Sequence, residues 1–141
     1  MLVKDVMHSD FVWIQPQVSL YEAAQKMLAS GVEALLVMEN ERLVGVVGLR
    51  DLFTAPLPSH YGMAMFDGRN EARLLADWKC IPVRNVMNDR VRSVTEDATV
   101  LQAAATMVNT GKHPLPVLRA GQVVGVIDRA DVVRALLGVY S

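Results

Sequence analysis

The chain has a single cysteine, Cys80, so it can form neither an internal disulfide nor a thiolate cluster. No signal-peptide pattern opens the sequence, and with a lone thiol this points to a reducing cytoplasm. Beside Ile81-Pro82, Cys80 reads as an inert small hydrophobe. No apolar stretch is long enough to cross a bilayer. Charge of one sign is also missing: the net charge is -1, the isoelectric point is about 6.3, and no run of Lys or Arg stands out. A nucleic-acid binder of this size would carry a basic stripe, so neither nucleic acid nor membrane is an expected partner. The three histidines, His8, His60 and His113, lack the spacing of a metal site. Gly-x-Ser-x-Gly, Walker and dinucleotide fingerprints are absent. No catalytic residue and no metal is expected, and the chain does not read as an enzyme.

Apolar residues, by contrast, are abundant. They make up 52% of the 141 residues against 21% charged, and the mean hydropathy is +0.25. A small domain this apolar is expected to hide surface against a partner, which favours homo-oligomerisation. The length suffices for one core, or for two smaller units packed on each other.

The second abundance is internal repetition. Val3-Lys4-Asp5-Val6-Met7 returns as Val83-Arg84-Asn85-Val86-Met87, and the register then holds without a gap for about 50 residues at a spacing of about 80. Ala23-Ala24 matches Ala103-Ala104, Met27 matches Met107, Gly31 matches Gly111, Val44-Gly45-Val46 matches Val124-Gly125-Val126, and Asp51 matches Asp131. The boundaries that follow are 1–53 for the first copy, 54–80 for a connector and 81–141 for the second.

Each copy predicts the order helix, strand, helix, strand, strand, helix. A helical turn covers Val3–Met7 and Val83–Met87, and a short strand covers Phe11–Ile14 and Val91–Val94. Ser19 and Thr99 are N-caps with Glu22 and Gln102 three residues on, a capping box in both copies. Leu20, Ala23, Ala24, Met27 and Leu28 follow helical spacing, Met27 and Met107 are core residues, and Gly31 and Gly111 fall where a left-handed C-cap is wanted. Hairpins follow over Ala34–Met38 and Leu43–Val47, and over Leu115–Leu118 and Val123–Ile127. Gly45 and Gly125 serve close packing or a bulge. A closing helix starts near Arg50 and near Ala130, with Val132, Val133, Leu136 and Leu137 on one face. In the connector, Thr54–Gly62 with Pro56, Pro58 and Gly62 reads as loop, and Asn70–Lys79 with Leu74, Leu75 and Trp78 as a short helix. Trp13 and Trp78 read as packing residues.

These motifs resemble the cystathionine-β-synthase (CBS) domain pair, or Bateman module. The resemblance rests on Val-x-x-Val-Met in each copy, Ser19-Leu-Tyr-Glu-Ala-Ala, Leu115-Pro116-Val117, and the closing motifs Gly45-Val-Val-Gly-Leu-Arg-Asp51-Leu and Gly125-Val-Ile-Asp-Arg-Ala-Asp131-Val. It covers the whole chain apart from the connector. It implies an α+β (mixed α/β) fold of two β-α-β-β-α repeats packed with pseudo-twofold symmetry. It further implies clefts between the repeats for AMP, ADP, ATP or S-adenosylmethionine as a regulatory ligand, a disc-like homodimer, and a regulated protein partner. No obligatory cofactor follows. The start at Met1 and the ordered-looking C-terminus favour a stand-alone protein.

The closing motif suits a ribose, because a carboxylate accepts from both hydroxyls through charge-assisted bonds and helix-start N–H groups suit a phosphate. Asp51 and Asp131 match the family's acidic position. Two readings of them stand: ligand contact, or a carboxylate that caps the helix and favours its dipole. The family's Ser/Thr, three residues earlier, is replaced by Gly48, which offers only backbone, and by Asp128, which repels a nearby phosphate. Arg50 and Glu33 flank the first site, and Lys112 and His113 the second. His113 reads as a structural or exposed histidine as well as a ligand contact. The candidate nucleotide-binding set is therefore Asp51, Asp131, Gly48, Arg50, Asp128, Lys112 and His113. Weakened phosphate contacts leave a ligand with few or no phosphates open, and a dimerisation module without a ligand is the alternative.

Overall fold

The computed structural model describes residues 1–54 and 71–138. The loop expected around Pro56, Pro58 and Gly62, together with His60 and Asn70, lies outside the described residues. A 3-10 turn at Val3–Asp5 leads into β1 (Trp13–Ile14), α1 (Leu20–Ser30), β2 (Ala34–Glu39), β3 (Arg42–Gly48) and α2 (Asp51–Thr54). After α3 (Glu71–Cys80) the order repeats: a 3-10 turn at Val83–Asn85, then β4 (Val94–Thr95), α4 (Val100–Thr110), β5 (Leu115–Arg119), β6 (Gln122–Ile127) and α5 (Arg129–Leu136). The chain is thus a mixed helix-and-sheet protein with two three-stranded sheets of the same design, ordered β1-β2-β3 and β4-β5-β6.

In each sheet the first strand runs parallel to the second, with Trp13 opposite Leu36 and Val94 opposite Val117. A parallel pair needs a crossover, and the intervening helix provides it. β5 and β6 form an antiparallel hairpin whose turn residues Ala120 and Gly121 both have positive φ, 50° and 80°. A two-residue turn of that kind matches the strand twist. The first strands are shorter than the sequence suggests, two residues each, since only their ends reach the partner strand.

Helix termini follow the sequence closely. Gly31 and Gly111 both adopt left-handed C-caps, at φ 67° and 69°. Thr99 Oγ1 accepts from Gln102 N at 3.1 Å and Gln102 Oε1 accepts from Thr99 N at 2.8 Å, a complete capping box. At α1 only the forward bond forms, from Glu22 N to Ser19 Oγ at 3.2 Å. Thr99→Ala is expected to cost about 1 kcal/mol, and Gln102→Ala a measurable fraction of it, whereas Glu22→Ala should leave the urea midpoint unchanged.

The described residues divide into two compact units. One comprises 1–11, 41–43 and 90–138, the other 12–40, 44–54 and 71–89. Each unit therefore holds the leading turn of the opposite sequence copy. In the first, Val3 is fully buried among Val100, Met107, Leu115 and Ile127. In the second, Val83 is buried among Leu20, Met27, Val37 and Val47. Backbone pairs hold the turns: Val3 N donates to Ala98 O at 2.8 Å and Val83 N to Val18 O at 2.7 Å. Gly125 and Gly45 are where the segments after these turns come closest. A Cβ on Gly125 would lie 2.5 Å from the carbonyl oxygen of His8, and one on Gly45 would lie 2.6 Å from Met87 Sδ.

Two expectations need correction. On α5 the inward positions are Asp131, Val132 and Ala135, while Val133, Leu136 and Leu137 are exposed; a partnered carboxylate takes the place a purely apolar face would have had. Cys80 is exposed at the end of α3 and is not packed as a hydrophobe. Trp78 does pack, edge-on to Phe53 with its indole N–H donating to Leu52 O at 2.9 Å, whereas Trp13 is half exposed under the ammonium of Lys26.

In the first unit Arg119 donates from Nε and Nη2 to the two carboxylate oxygens of Glu96, each at 2.8 Å. These bonds, helped by the charges of Arg119 and Lys4, hold the Glu96 carboxyl below its ordinary 4.5. A lowered acid stabilises the fold above its unfolded-state value and loses that contribution as pH falls through the folded-state value. Arg119→Gln should therefore melt below the wild type at pH 7, and the gap should close only as the pH drops beneath 4.5.

Candidate functional site

Both copies end their hairpin in the same local geometry. Asp51 opens α2, and its Oδ2 accepts the N–H of Gly48 at 2.8 Å. Asp131 lies in the first turn of α5, and its Oδ2 accepts the N–H of Asp128 at 2.8 Å. An acid that reaches back three residues to a helix-start N–H is the return half of a capping box, so each carboxylate is fixed by backbone. The capping reading holds at Asp131, where Asp128 is the N-cap of α5; at Asp51 the partner N–H belongs to Gly48, the last residue of β3. A second carboxylate oxygen, Oδ1, remains for other work in each.

That second oxygen differs between the copies. Asp131 is 3% exposed. Its Oδ1 receives Nη2 of Arg134 at 2.6 Å and the Nε2 of His8. Asp51 is half-buried, and no side chain among the described residues donates to its Oδ1. Arg134 was missed in the sequence, although its i,i+3 spacing on the same helix made it legible as a partner. His8 was not legible, because nothing in the sequence says that the leading segment of one copy reaches the closing motif of the other.

The remaining candidates separate in the same way. Asp128 is the N-cap of α5, accepting from the N–H of Arg129 at 2.7 Å. His113 Nδ1 lies 3.5 Å from Asp128 Oδ1, so His113, Asp128 and Asp131 are brought together. Lys112 is not with them: its ammonium donates to the carbonyl of Arg90 at 2.7 Å. In the other unit Gly48 and Asp51 are joined directly. Arg50 is exposed on the turn between them, and its guanidinium meets no partner among the described residues. The carbonyl of Glu33 accepts from Leu49 N at 3.0 Å, and a Cβ on Gly48 would lie 3.4 Å from that oxygen. A Cβ at position 48 would thus meet only ordinary van der Waals contact.

Among the described residues, hollows lie inside each unit, of which two stand out. One, of about 330 Å³, runs between α4 and α5 over Met107, Val108 and Val132, with His113 and Arg129 at its edge. The other, of about 240 Å³, is bordered by Trp13, Val18, Glu22 and Lys26. Among the described residues no three His, Cys, Asp or Glu side chains gather as metal ligands, and no helix is long and apolar enough to cross a membrane.

Comparison with known proteins gives the same two-copy pattern. The CBS domain matches residues 3–57 and again 83–138. An uncharacterised 17.7 kDa protein of Acidianus ambivalens is 28% identical over 130 residues, which are 91% of this chain and 68% of that one. The chain spans between 43% and 78% of the lengths of the curated relatives it matches. The CBS-pair protein CBSX2 of Arabidopsis thaliana is 25% identical with a TM-score of 0.82, covering 98% of this chain and 95% of that one. CBSX2 has also been solved in complex with AMP, and that structure matches with a TM-score of 0.77 over 98% and 97% of the two chains. With both copies matched and most of the chain covered, this protein belongs to the CBS-domain family.

Proposed function

We propose that this chain is a non-catalytic regulatory module that senses an adenosyl ligand, with AMP as the first candidate. The observation that carries the reading is the closing motif of the first copy. Asp51 is fixed through one oxygen by the Gly48 N–H and keeps the other open, which is the acceptor a ribose hydroxyl pair requires. The AMP complex of a relative with the same fold supports the ligand class. Arg50 is available for one phosphate. Glu33 beside the first motif and Asp128 in the second oppose further negative charge, so AMP, adenosine or S-adenosylmethionine fit better than ATP. His113 belongs with the second motif, whereas Lys112 is engaged by the carbonyl of Arg90. The output is a population shift: a ligand that binds one conformer better moves the equilibrium by its differential affinity, and a regulated protein partner reads the change. The lone thiol fits a reducing cytoplasm.

Thermal unfolding with AMP, ADP, ATP, adenosine, S-adenosylmethionine and NAD tests the reading. A ligand at about 100 times its dissociation constant adds roughly 2.7 kcal/mol, or several degrees at this size. AMP is expected to shift the melting point more than ATP does. A melting point that moves with none of the six overturns the proposal.

A self-associating role accompanies ligand binding. Leu101 and Val108, seven residues apart on α4, are 64% and 81% exposed, and Val133, Leu136 and Leu137 line one exposed side of α5. These exposed apolar side chains call for a cover, and a second copy of this chain is the proposed one. Light scattering should report a dimer, and Val108→Glu should convert it to a monomer. A monomeric wild type would contradict this role.

A further inference from the structure

We propose that the second closing motif is closed from within: His8 and Arg134 occupy the oxygen of Asp131 that a ribose would use, so that the chain takes one adenosyl ligand, at Asp51. This rests on the ligand class proposed above and adds stoichiometry and a reason for it. The two aspartates are equivalent through Oδ2, each on a backbone N–H at 2.8 Å. They part at Oδ1, where Asp131 has Arg134 at 2.6 Å and His8, with its side chain 2% exposed. An oxygen that already receives two donors has no acceptor direction left for a hydroxyl. Displacing the donors would strip a buried carboxylate of its partners, a heavy cost.

His8 is not there by chance of rotamer. Its N–H donates to Val126 O and its carbonyl accepts from Val126 N, both at 2.9 Å. Gly125, with no side chain, lets the segment approach. The tie therefore starts in the backbone and ends on the carboxylate. In the other unit the residue corresponding to Arg134 is Thr54, whose hydroxyl donates instead to the carbonyl of Asp51 at 3.1 Å. The residue corresponding to His8 is Asn88, whose backbone makes the same pair with Val46. The copies thus keep the scaffold and differ in what reaches Oδ1. Asp131 fastens the leading segment of the chain, and Asp51 reads the ligand.

Isothermal titration with AMP on the full chain tests this. The wild type should take one equivalent, and Asp51→Asn should weaken binding at least tenfold. The double variant His8→Ala/Arg134→Ala should take two. Binding of two equivalents by the wild type, or unchanged binding by Asp51→Asn, overturns the proposal. A ligand-free arm decides the tie separately: in a mutant cycle of His8→Ala and Asp131→Asn, the losses in melting temperature should be strongly non-additive. Additive losses overturn the tie. A wild type that binds no AMP at all refutes the ligand class, and the cycle then judges the tie alone.

Discussion

Gly125→Val is expected to be the most damaging single substitution in the first unit, costing about 3 kcal/mol or more. The added Cβ would start 2.5 Å from the carbonyl oxygen of His8, which is backbone and is itself paired with Val126. It cannot swing aside as a side chain can. To relieve the clash the leading segment must lift, which breaks both His8–Val126 bonds and loosens the core that Val3 seals. Gly45→Val offers the contrast. Its nearest obstacle is the Sδ of Met87 at 2.6 Å, the flexible end of a side chain, and the nearest backbone atom, Asn88 O, lies at 3.1 Å. Methionine repacks readily, so Gly45→Val should cost clearly less. Urea unfolding of the two variants checks the ranking; equal midpoints would show that the approach of the leading segment at Gly125 is not as tight as described.

Asp131→Ala should cost about 2–3 kcal/mol, since hydrogen bonds to a charged group contribute more than neutral ones and the Asp128 N–H is left without its acceptor. Arg134 and His8 are each about half exposed, so water recovers part of their loss and the full penalty for a broken buried pair does not apply. Asp51→Ala loses only the bond from Gly48 N–H, and about 1 kcal/mol is expected. Denaturant midpoints of the two variants should therefore differ in the direction Asp131 over Asp51. Equal midpoints would mean that His8 and Arg134 add nothing to Asp131.

Much of this architecture was legible because local rules and the repeat agreed. Hairpins, crossover helices and the left-handed Gly31 and Gly111 each follow from residues within a few positions of one another. What the sequence hid were features decided by distant partners. The first strands shrink because pairing, not composition, sets their ends. The inward face of α5 contains Asp131 because His8, more than a hundred positions away, partners it. Both copies open with Val-x-x-Val-Met, so nothing in the letters says that Val3 seals the core of the second copy and Val83 that of the first. Glycine at 45 and 125 signals a close approach, yet not what approaches. For the same reason Asp51 and Asp131 appeared as equivalent positions in two otherwise different sets of candidates, and the difference at Oδ1 emerged only in the structure.

The central claim is that Asp51 reads an adenosyl ligand. A crystal structure of the chain grown with AMP at millimolar concentration tests it most directly. The account predicts one nucleotide per chain, its ribose hydroxyls within hydrogen-bond distance of Asp51 Oδ1, with Oδ2 still on the Gly48 N–H and Asp131 still held by His8 and Arg134. A nucleotide seated on Asp131, or crystals saturated with AMP that leave Asp51 bare, would contradict it.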